Sequence, residues 1–414
     1  MFCDVSLFRR KATGAVVAVT MLCISAWLAA ADTPPRVFLL DAGLLQSTRA
    51  AIAQHDPAVM PAWDALKADA DKALTVERFS VVDKATIPPS GDKHDYMTQA
   101  PYWWPDPKKS DGLPYMRRDG ERNPELDKLP DHTAMDRMSS AVTTLALAGY
   151  LGTDERYGAK AAQLLRAWFV DPATRMNPSL TYAQFIPGIN TGRGIGLIET
   201  RGLTRVVDAI SLVDSIGALP AADKAALRDW FSQFVTWMRE SPHGRDESNA
   251  KNNHGTYYDL QVVTFALFVE QSAVAKQVIE NAHAKRIDAQ IEPDGRQPLE
   301  LARTRSFSYC VMNIDGLTQL ATVGDRVGVD LWSYTRRGAD GPAMRRALLY
   351  LAPYALGDAK WPHQQIGNWD PQSLFPVLRR AARHYQDSEF RRVIGRIPPV
   401  AAADRTALIQ RQPQ

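Results

Sequence analysis

The stretch Leu219–Ser241, LPAADKAALRDWFSQFVTWMRES, carries the clearest helical pattern in the chain. Its large apolar side chains recur at i, i+3, i+4, i+7 and i+11, at Leu227, Trp230, Phe231, Phe234 and Met238. That spacing places all five on one face of a helix. Pro220 fits the first helical position, where no backbone N–H is needed. The stretch therefore predicts an amphipathic helix with a buried aromatic face.

The same period continues through most of the chain. Alternating strand patterns are nearly absent, the connections are short, and no fixed repeat indicates a solenoid. Paired helices in this number either stack or close into a ring, and we predict an all-α fold, an incomplete α/α toroid built from helix hairpins. The other segments with helical period are Pro61–Leu74, Thr133–Tyr150, Tyr157–Phe169, Gly194–Leu212, Val274–Ile291, Ala343–Tyr354 and Pro371–Tyr385.

Composition limits the function classes. The chain has 414 residues, of which 45% are hydrophobic and 23% charged, so it can bury a large core as one domain or two. The net charge of +3 is small, and Lys and Arg are scattered without a basic run. Nucleic acid is therefore not an expected partner, and the charge allows only a modest preference for acidic ligands.

The N-terminus resembles a secretory signal peptide. Arg9, Arg10 and Lys11 precede an apolar stretch that ends in the small residues 29–31. The stretch is short for a membrane anchor, and we expect cleavage after Ala31. We therefore predict a signal peptide at 1–31, a single toroid domain at 32–414, and a periplasmic or secreted protein with no membrane attachment after cleavage. Cys310 alone would remain, so no internal disulfide is expected.

Two regions interrupt the helical period. Asp92–Asp131 is long, rich in Pro and Gly, and carries APYWWPDP, whereas Ile291–Leu317 begins a new helix with polar residues. Trp103 and Trp104 lie between prolines, where they can contact a substrate or fill the core. We expect the first role.

Ala250–Val263, AKNNHGTYYDLQVV, has more hydrogen-bonding side chains than a helix cap needs. No metal or other cofactor is predicted, because none of the histidines at 94, 132, 243, 254 and 363 has a metal-binding spacing. A serine nucleophile has no G-x-S-x-G elbow. Paired carboxylates for glycoside hydrolysis remain an alternative, with the candidates Glu199, Asp246, Glu292 and Asp294.

The remaining candidates are Asn253, His254, Arg303 and Tyr309. NNHG before a buried helix, followed some fifty residues later by LELARTRSFSY, resembles the alginate lyase superfamily of polysaccharide lyases. The resemblance covers Phe38–Tyr385 and implies that these four residues carry the reaction. The loop APYWWPDP…GLPYMRRDG…NPE resembles members whose substrates include glucuronan. Alginate-specific relatives space their Arg and Tyr one residue further apart, so the functional arginine is Arg303 or Arg305.

The chemistry of a 4-linked uronate explains these residue types. The C5 proton leaves only if donors and a cation hold the adjacent carboxylate as negative charge develops, which suits Asn253, His254 and Arg303. In β-linked glucuronate and mannuronate the C5 proton and O4 lie on one side of the ring, so Tyr309 can act as base and then as acid. We predict a monomeric lyase for an acidic polysaccharide, with a glycoside hydrolase and a non-catalytic glycan binder as alternatives. Expected substrate contacts are Trp103, Trp104, Tyr258, Arg193 and Arg305.

Overall fold

The computed structural model describes residues 34–410, and helices dominate that part of the chain. The fifteen α-helices described are α1 (Ala42–Ala53), α2 (Met60–Leu74), α3 (Asp131–Gly152), α4 (Glu155–Leu165), α5 (Leu203–Ser215), α6 (Ala221–Glu240), α7 (Pro242–Ser248), α8 (Asn253–Phe268), α9 (Ser272–Ala282), α10 (Pro298–Leu301), α11 (Ser306–Gly324), α12 (Ala343–Ala355), α13 (Phe375–Ala381), α14 (Ser388–Ile394) and α15 (Thr406–Ile409).

Helix α6 confirms the predicted amphipathic stretch. Its five periodic apolar side chains are all buried, and they form aromatic contacts such as Trp230 to Phe231, whose ring centroids lie 5.0 Å apart. Burying such side chains contributes about 1.5–3 kcal/mol each relative to exposure. Pro220 is the residue before the first turn, one position earlier than predicted, because its ψ of 143° is extended.

Four helices form the inner ring. Helix α3 packs on α5, α5 on α8, and α8 on α11, while α4, α6, α9 and α12 pack on their outer sides. A cavity of about 640 Å³, lined by parts of α3, α5 and α11, lies between the first and last of these helices. This arrangement of paired helices confirms the predicted all-α toroid.

Two of the predicted helical segments are α-helical over only part of their length. The segment predicted from Tyr157 leaves α-helical geometry at Arg166, where a π-helical turn runs to Val170. The segment predicted from Gly194 begins as a 3₁₀ helix, Gly194–Gly202, before α5. Side-chain periodicity does not distinguish these tighter and wider turns from an α-helix.

Short strands occur in the first irregular region and after α4. The described strands are β1 (Met97–Gln99), β2 (Trp103–Trp104), β3 (Met116–Arg117) and β4 (Tyr182–Phe185). β1 pairs parallel with β4, and β2 pairs antiparallel with β3. These pairings fix the tryptophan-bearing segment, Asp92–Asp131, over the start of the inner helices.

The predicted signal peptide at 1–31 lies outside the described residues. None of the helices within residues 34–410 has the length and apolar character needed to cross a membrane.

Candidate active site

A cleft of about 640 Å³ opens where the inner helices begin. Its walls come from the first turns of α3, α8 and α11, from the 3₁₀ helix before α5, and from the tryptophan-bearing segment. One carboxylate, Glu199, lines it together with five arginines. The cleft therefore favours an anionic ligand. The arginines are Arg117, Arg122, Arg193, Arg201 and Arg303.

The start of α8 is held by a buried ion pair. Arg286 binds Asp259 through two N–H groups, and it also donates to the backbone carbonyls of Ser248 and Ala250. Gly255 allows this approach, because a Cβ at that position would lie 2.4 Å from the guanidinium Nη1. The clamp fixes the NNHG turn at the cleft.

Asn253 and His254 both line the cleft and both contact buried carboxylates. Asn253 donates from its backbone N–H and from Nδ2 to Glu300, at 2.7 and 2.8 Å. Nδ1 of His254 lies 2.7 Å from Oε1 of Glu247, whose side chain is almost completely buried. A carboxylate at Nδ1 fixes the plane of the imidazole ring, which leaves Nε2 for a ligand.

Arg303 and Tyr309 are in direct contact. The guanidinium carbon lies 3.8 Å from the centre of the Tyr309 ring, and Arg303 also donates to Asp119 at 2.8 Å. Burial would raise the pKa of the Asp119 carboxyl, but the hydrogen bonds from Arg303 hold that pKa below its usual value. The hydroxyls of Tyr309 and Tyr102 are 2.9 Å apart. Burial raises the pKa of Tyr309, so its phenol is protonated in the empty cleft at neutral pH.

Arg193 forms a second cationic position in the cleft. It donates to the side chain of Gln184, and its buried Nε has no hydrogen-bond partner among the described residues. Burial lowers its pKa to about 10. Gln184 itself has a φ of +51°, a left-handed conformation that non-glycine residues seldom adopt. Trp103 lies beside this arginine, with the guanidinium 6.0 Å from its ring.

Three of the predicted substrate contacts do not line the cleft. Tyr258 is buried in the core, where its hydroxyl donates to the carbonyl of Met238, because α8 turns that side chain away from the cleft. Trp104 points to the opposite side of β2 from Trp103, and its Nε1 donates to the Glu121 carbonyl. Arg305 pairs with the segment at Gln365 in an antiparallel bridge and does not line the cleft.

The structure thus brings Asn253, His254, Arg303, Tyr309, Arg193 and Trp103 to one cleft. The supporting carboxylates Asp119, Glu247 and Glu300 were not predicted from the sequence. For Glu300 alone the sequence carried a signal, since this residue lies inside the motif LELARTRSFSY. Asp119 is 184 positions from Arg303, a separation that local pattern does not reveal.

The carboxylates proposed for glycoside hydrolysis do not meet. Of the four candidates only Glu199 lines the cleft, and its Oε2 accepts hydrogen bonds from Tyr96 and Thr98. Glycoside hydrolysis needs two carboxyl groups on opposite sides of the scissile bond. Within residues 34–410, no cluster of three or more His, Cys, Asp or Glu side chains has the arrangement of a metal site.

Known proteins resemble this chain in sequence and in fold. The alginate lyase family model matches residues 80–361. The crystal structure of an alginate lyase from Bacteroides ovatus is 41% identical, with a TM-score of 0.86 over 91% of this chain and 99% of that one. An alginate lyase from a Sphingomonas species is 14% identical, with a TM-score of 0.52 over 86% of this chain and 97% of that one, and shares the fold. A comparison with curated proteins gave no significant match.

Proposed function

The chain belongs to the alginate lyase family of polysaccharide lyases, and from this premise we propose that it cleaves a β-1,4-linked uronate polymer by β-elimination. Alginate, in particular its mannuronate blocks, is the first candidate because the 41% identical Bacteroides ovatus protein is an alginate lyase. Glucuronan is the second, since its linkage and the relation between its C5 proton and O4 are the same.

The reaction requires charge stabilisation before proton transfer. Loss of the C5 proton places a second negative charge on a group that already carries a carboxylate, so the barrier falls only if donors surround that carboxylate. Arg303 supplies a fixed cation, and His254 supplies Nε2 from a ring held by Glu247. Asn253 lies beside them and completes the set.

Tyr309 then serves as base and as acid. Burial raises its pKa, so the phenol must first release its proton to solvent, and the Arg303 guanidinium over its ring stabilises the resulting phenolate. The phenolate takes the C5 proton, and the re-formed phenol donates that proton to O4 as the C4–O4 bond breaks, which restores the phenolate. Tyr102 fixes the position of the Tyr309 oxygen through the 2.9 Å hydroxyl contact. One residue can remove the C5 proton and protonate O4 because both atoms lie on the same side of the sugar ring.

The rest of the cleft suits a polymer with one negative charge per sugar. The buried Nε of Arg193 has no hydrogen-bond partner among the described residues, so it is available to a neighbouring uronate. Trp103 beside it offers an apolar surface for the sugar CH groups. A binding mode with stacking and a cation at adjacent positions selects acidic chains over neutral ones.

The observation that carries the proposal is the meeting of Asn253, His254, Arg303 and Tyr309 in one arginine-lined cleft. The test is to incubate the protein with polymannuronate, polyguluronate, mixed alginate and glucuronan, and to record both ultraviolet absorbance and new reducing ends. A lyase produces an unsaturated uronate, so the two signals rise together. Reducing ends without absorbance would indicate a hydrolase, and binding without either signal would indicate a glycan-binding protein.

Export, a single domain and a monomeric state complete the proposal. N-terminal sequencing of the protein recovered from the periplasm or medium should begin at Asp32 if cleavage follows Ala31. Light scattering of that protein should give the mass of one chain. A start at Met1, or the mass of a dimer, would contradict these two expectations.

A further inference from the structure

The side-chain amide of Asn253 is arranged the wrong way for the role proposed above. Its Nδ2 lies 2.9 and 2.8 Å from the two carboxyl oxygens of Glu300, which share one amide hydrogen, so the NH₂ group faces Glu300. Its carbonyl oxygen Oδ1 is buried and has no partner among the described residues. An unsatisfied buried acceptor is costly, and a carbonyl facing a uronate carboxylate would repel it.

The protonation state of Glu300 decides which way the amide can face. An ionised carboxylate only accepts hydrogen bonds, so it must face Nδ2 of Asn253. A protonated carboxyl has an O–H, which can donate to Oδ1 once the amide has rotated. Its other oxygen still accepts from the backbone N–H of Asn253. In that arrangement Oδ1 is satisfied and Nδ2 is free to donate to a ligand.

We propose that Glu300 is a positioning residue which is protonated in the productive complex, and that its proton turns the Asn253 amide so that Nδ2 faces the substrate carboxylate. This inference rests on the function proposed above, because it needs an anionic ligand next to Asn253. The rotation leaves every polar atom of the pair with a partner. Glu300 itself does not touch the sugar.

The surroundings of Glu300 favour the proton. Its side chain is almost completely buried, and burial raises the pKa of its carboxyl, while the hydrogen bonds from Asn253 and the charges of Arg303 and His254 act in the opposite direction. The thiol of Cys310 also lies close, and its pKa is raised by burial and then by Glu300. A uronate carboxylate entering the cleft adds a further negative charge, which favours the neutral form of Glu300.

Substitutions of Glu300 distinguish a requirement for a hydrogen-bond donor at this position from a requirement for a carboxylate. In Glu300→Gln the amide NH₂ can donate to Oδ1 of Asn253 while the carbonyl accepts from the backbone N–H, which reproduces the protonated state. We expect this variant to retain at least about a third of the parental kcat, whereas Glu300→Ala should lose about 10- to 100-fold because the amide is no longer oriented. Equal losses in the two variants, with the parent active, would overturn the proposal.

The pH profile provides a readout that a purely structural role would not change. Parental kcat should fall as the pH rises through the range where Glu300 loses its proton, because the amide then turns back. Glu300→Gln has no such proton, so this part of the decline should be absent. A decline of the same size at the same pH in both proteins would contradict the proposal.

Infrared spectroscopy tests the proton directly and does not depend on turnover. Tyr309→Phe should bind an oligomannuronate without cleaving it, and its spectrum on binding is compared with that of Tyr309→Phe/Glu300→Gln. We expect a C=O stretch of a protonated carboxyl only where Glu300 is present. A carboxylate signal from Glu300 in the complex would overturn the proposal. Failure of the parent to cleave any of the uronate polymers would instead show that the proposed function fails.

Discussion

Arg303 contacts both Asp119 and Tyr309 at the cleft. Its guanidinium is held by Asp119, covers the ring of Tyr309, and faces the cleft. A charge-assisted pair with two parallel N–H bonds fixes orientation as well as charge. The arginine can therefore stabilise charge on the substrate without first reorganising.

Substitution of the two nearby arginines should have different effects on turnover. Arg303→Ala removes the cation beside the reacting carboxylate, so we expect kcat to fall about 100-fold or more with a smaller change in KM. Arg305→Ala is the matched control, since Arg305 lies outside the cleft and should keep kcat within about threefold of the parental value. Steady-state kinetics on one polymer tests the pair, and equal losses in kcat would contradict the assignment.

The sequence motif predicted the four residues that meet in the cleft but not their partners. Asn253 and His254 are adjacent in the chain, and Arg303 and Tyr309 fall in one short motif, so local pattern was enough to find them. Their carboxylate partners come from other segments, as Asp119 does, and ordinary acidic residues carry no local signal of such a contact. Arg305 differs from Arg303 because Ser306 begins α11, and a two-residue shift at a helix start changes the side of the chain that faces the cleft.

The tryptophan-bearing segment shows why short strands matter in a helical protein. β2 contains only Trp103 and Trp104, and neighbouring residues in a strand point to opposite faces. Trp103 consequently lines the cleft, while Trp104 lies under the guanidinium of Arg118, 5.0 Å from its ring. Helical periodicity predicted the toroid helices, but the apolar cluster APYWWP gave no indication of which indole faces the cleft.

The two tryptophans should therefore differ in binding. Trp103→Ala should weaken binding of a long oligouronate by about 1–3 kcal/mol, because it removes an apolar surface that a sugar can cover. Trp104→Ala is the control and should leave the dissociation constant nearly unchanged. Calorimetric titration of both variants on a Tyr309→Phe background, which prevents turnover, measures the difference. Equal weakening by both substitutions would show that the segment acts as a whole rather than through Trp103.

At the scale of the whole molecule, buried carboxyls link stability to pH. Asp208 accepts hydrogen bonds from the backbone N–H groups of Phe38, Leu39 and Leu40, which ties the first described segment to α5. Burial raises the pKa of Asp208 to about 6. Between about pH 4 and pH 6 the folded chain thus holds a proton that the unfolded chain has lost.

This difference in proton binding determines whether the free energy of unfolding rises or falls with pH. The Asp208 contribution to stability should decline as the pH rises from about 4 through about 6, by on the order of 3 kcal/mol. The measurement is the free energy of unfolding of the parent minus that of Asp208→Asn, from urea titrations at several pH values. The subtraction cancels the other titrating groups. A difference that stays constant, or grows with pH, would contradict the assignment.

The toroid as a whole was predictable because its helices carry strong apolar periods and short connections. The cavity lined by α3, α5 and α11 was not predicted, since its lining residues, such as Thr143 and Gln319, lie far apart in the chain. Ring closure is decided by how many hairpins the chain supplies and by packing angles between them, and neither is encoded in any one segment.

The central claim is that Tyr309 transfers the C5 proton of a uronate to O4 during β-elimination. One measurement tests this claim most directly. The initial rate of increase in ultraviolet absorbance is recorded on the preferred polymer for the parent, for Tyr309→Phe and for the control Tyr334→Phe, a half-buried tyrosine outside the cleft whose hydroxyl donates to Asp288. Tyr309→Phe should lose at least about 100-fold in rate while binding the polymer with nearly parental affinity, and Tyr334→Phe should match the parent. Retention of more than about a hundredth of the rate by folded Tyr309→Phe would contradict the account.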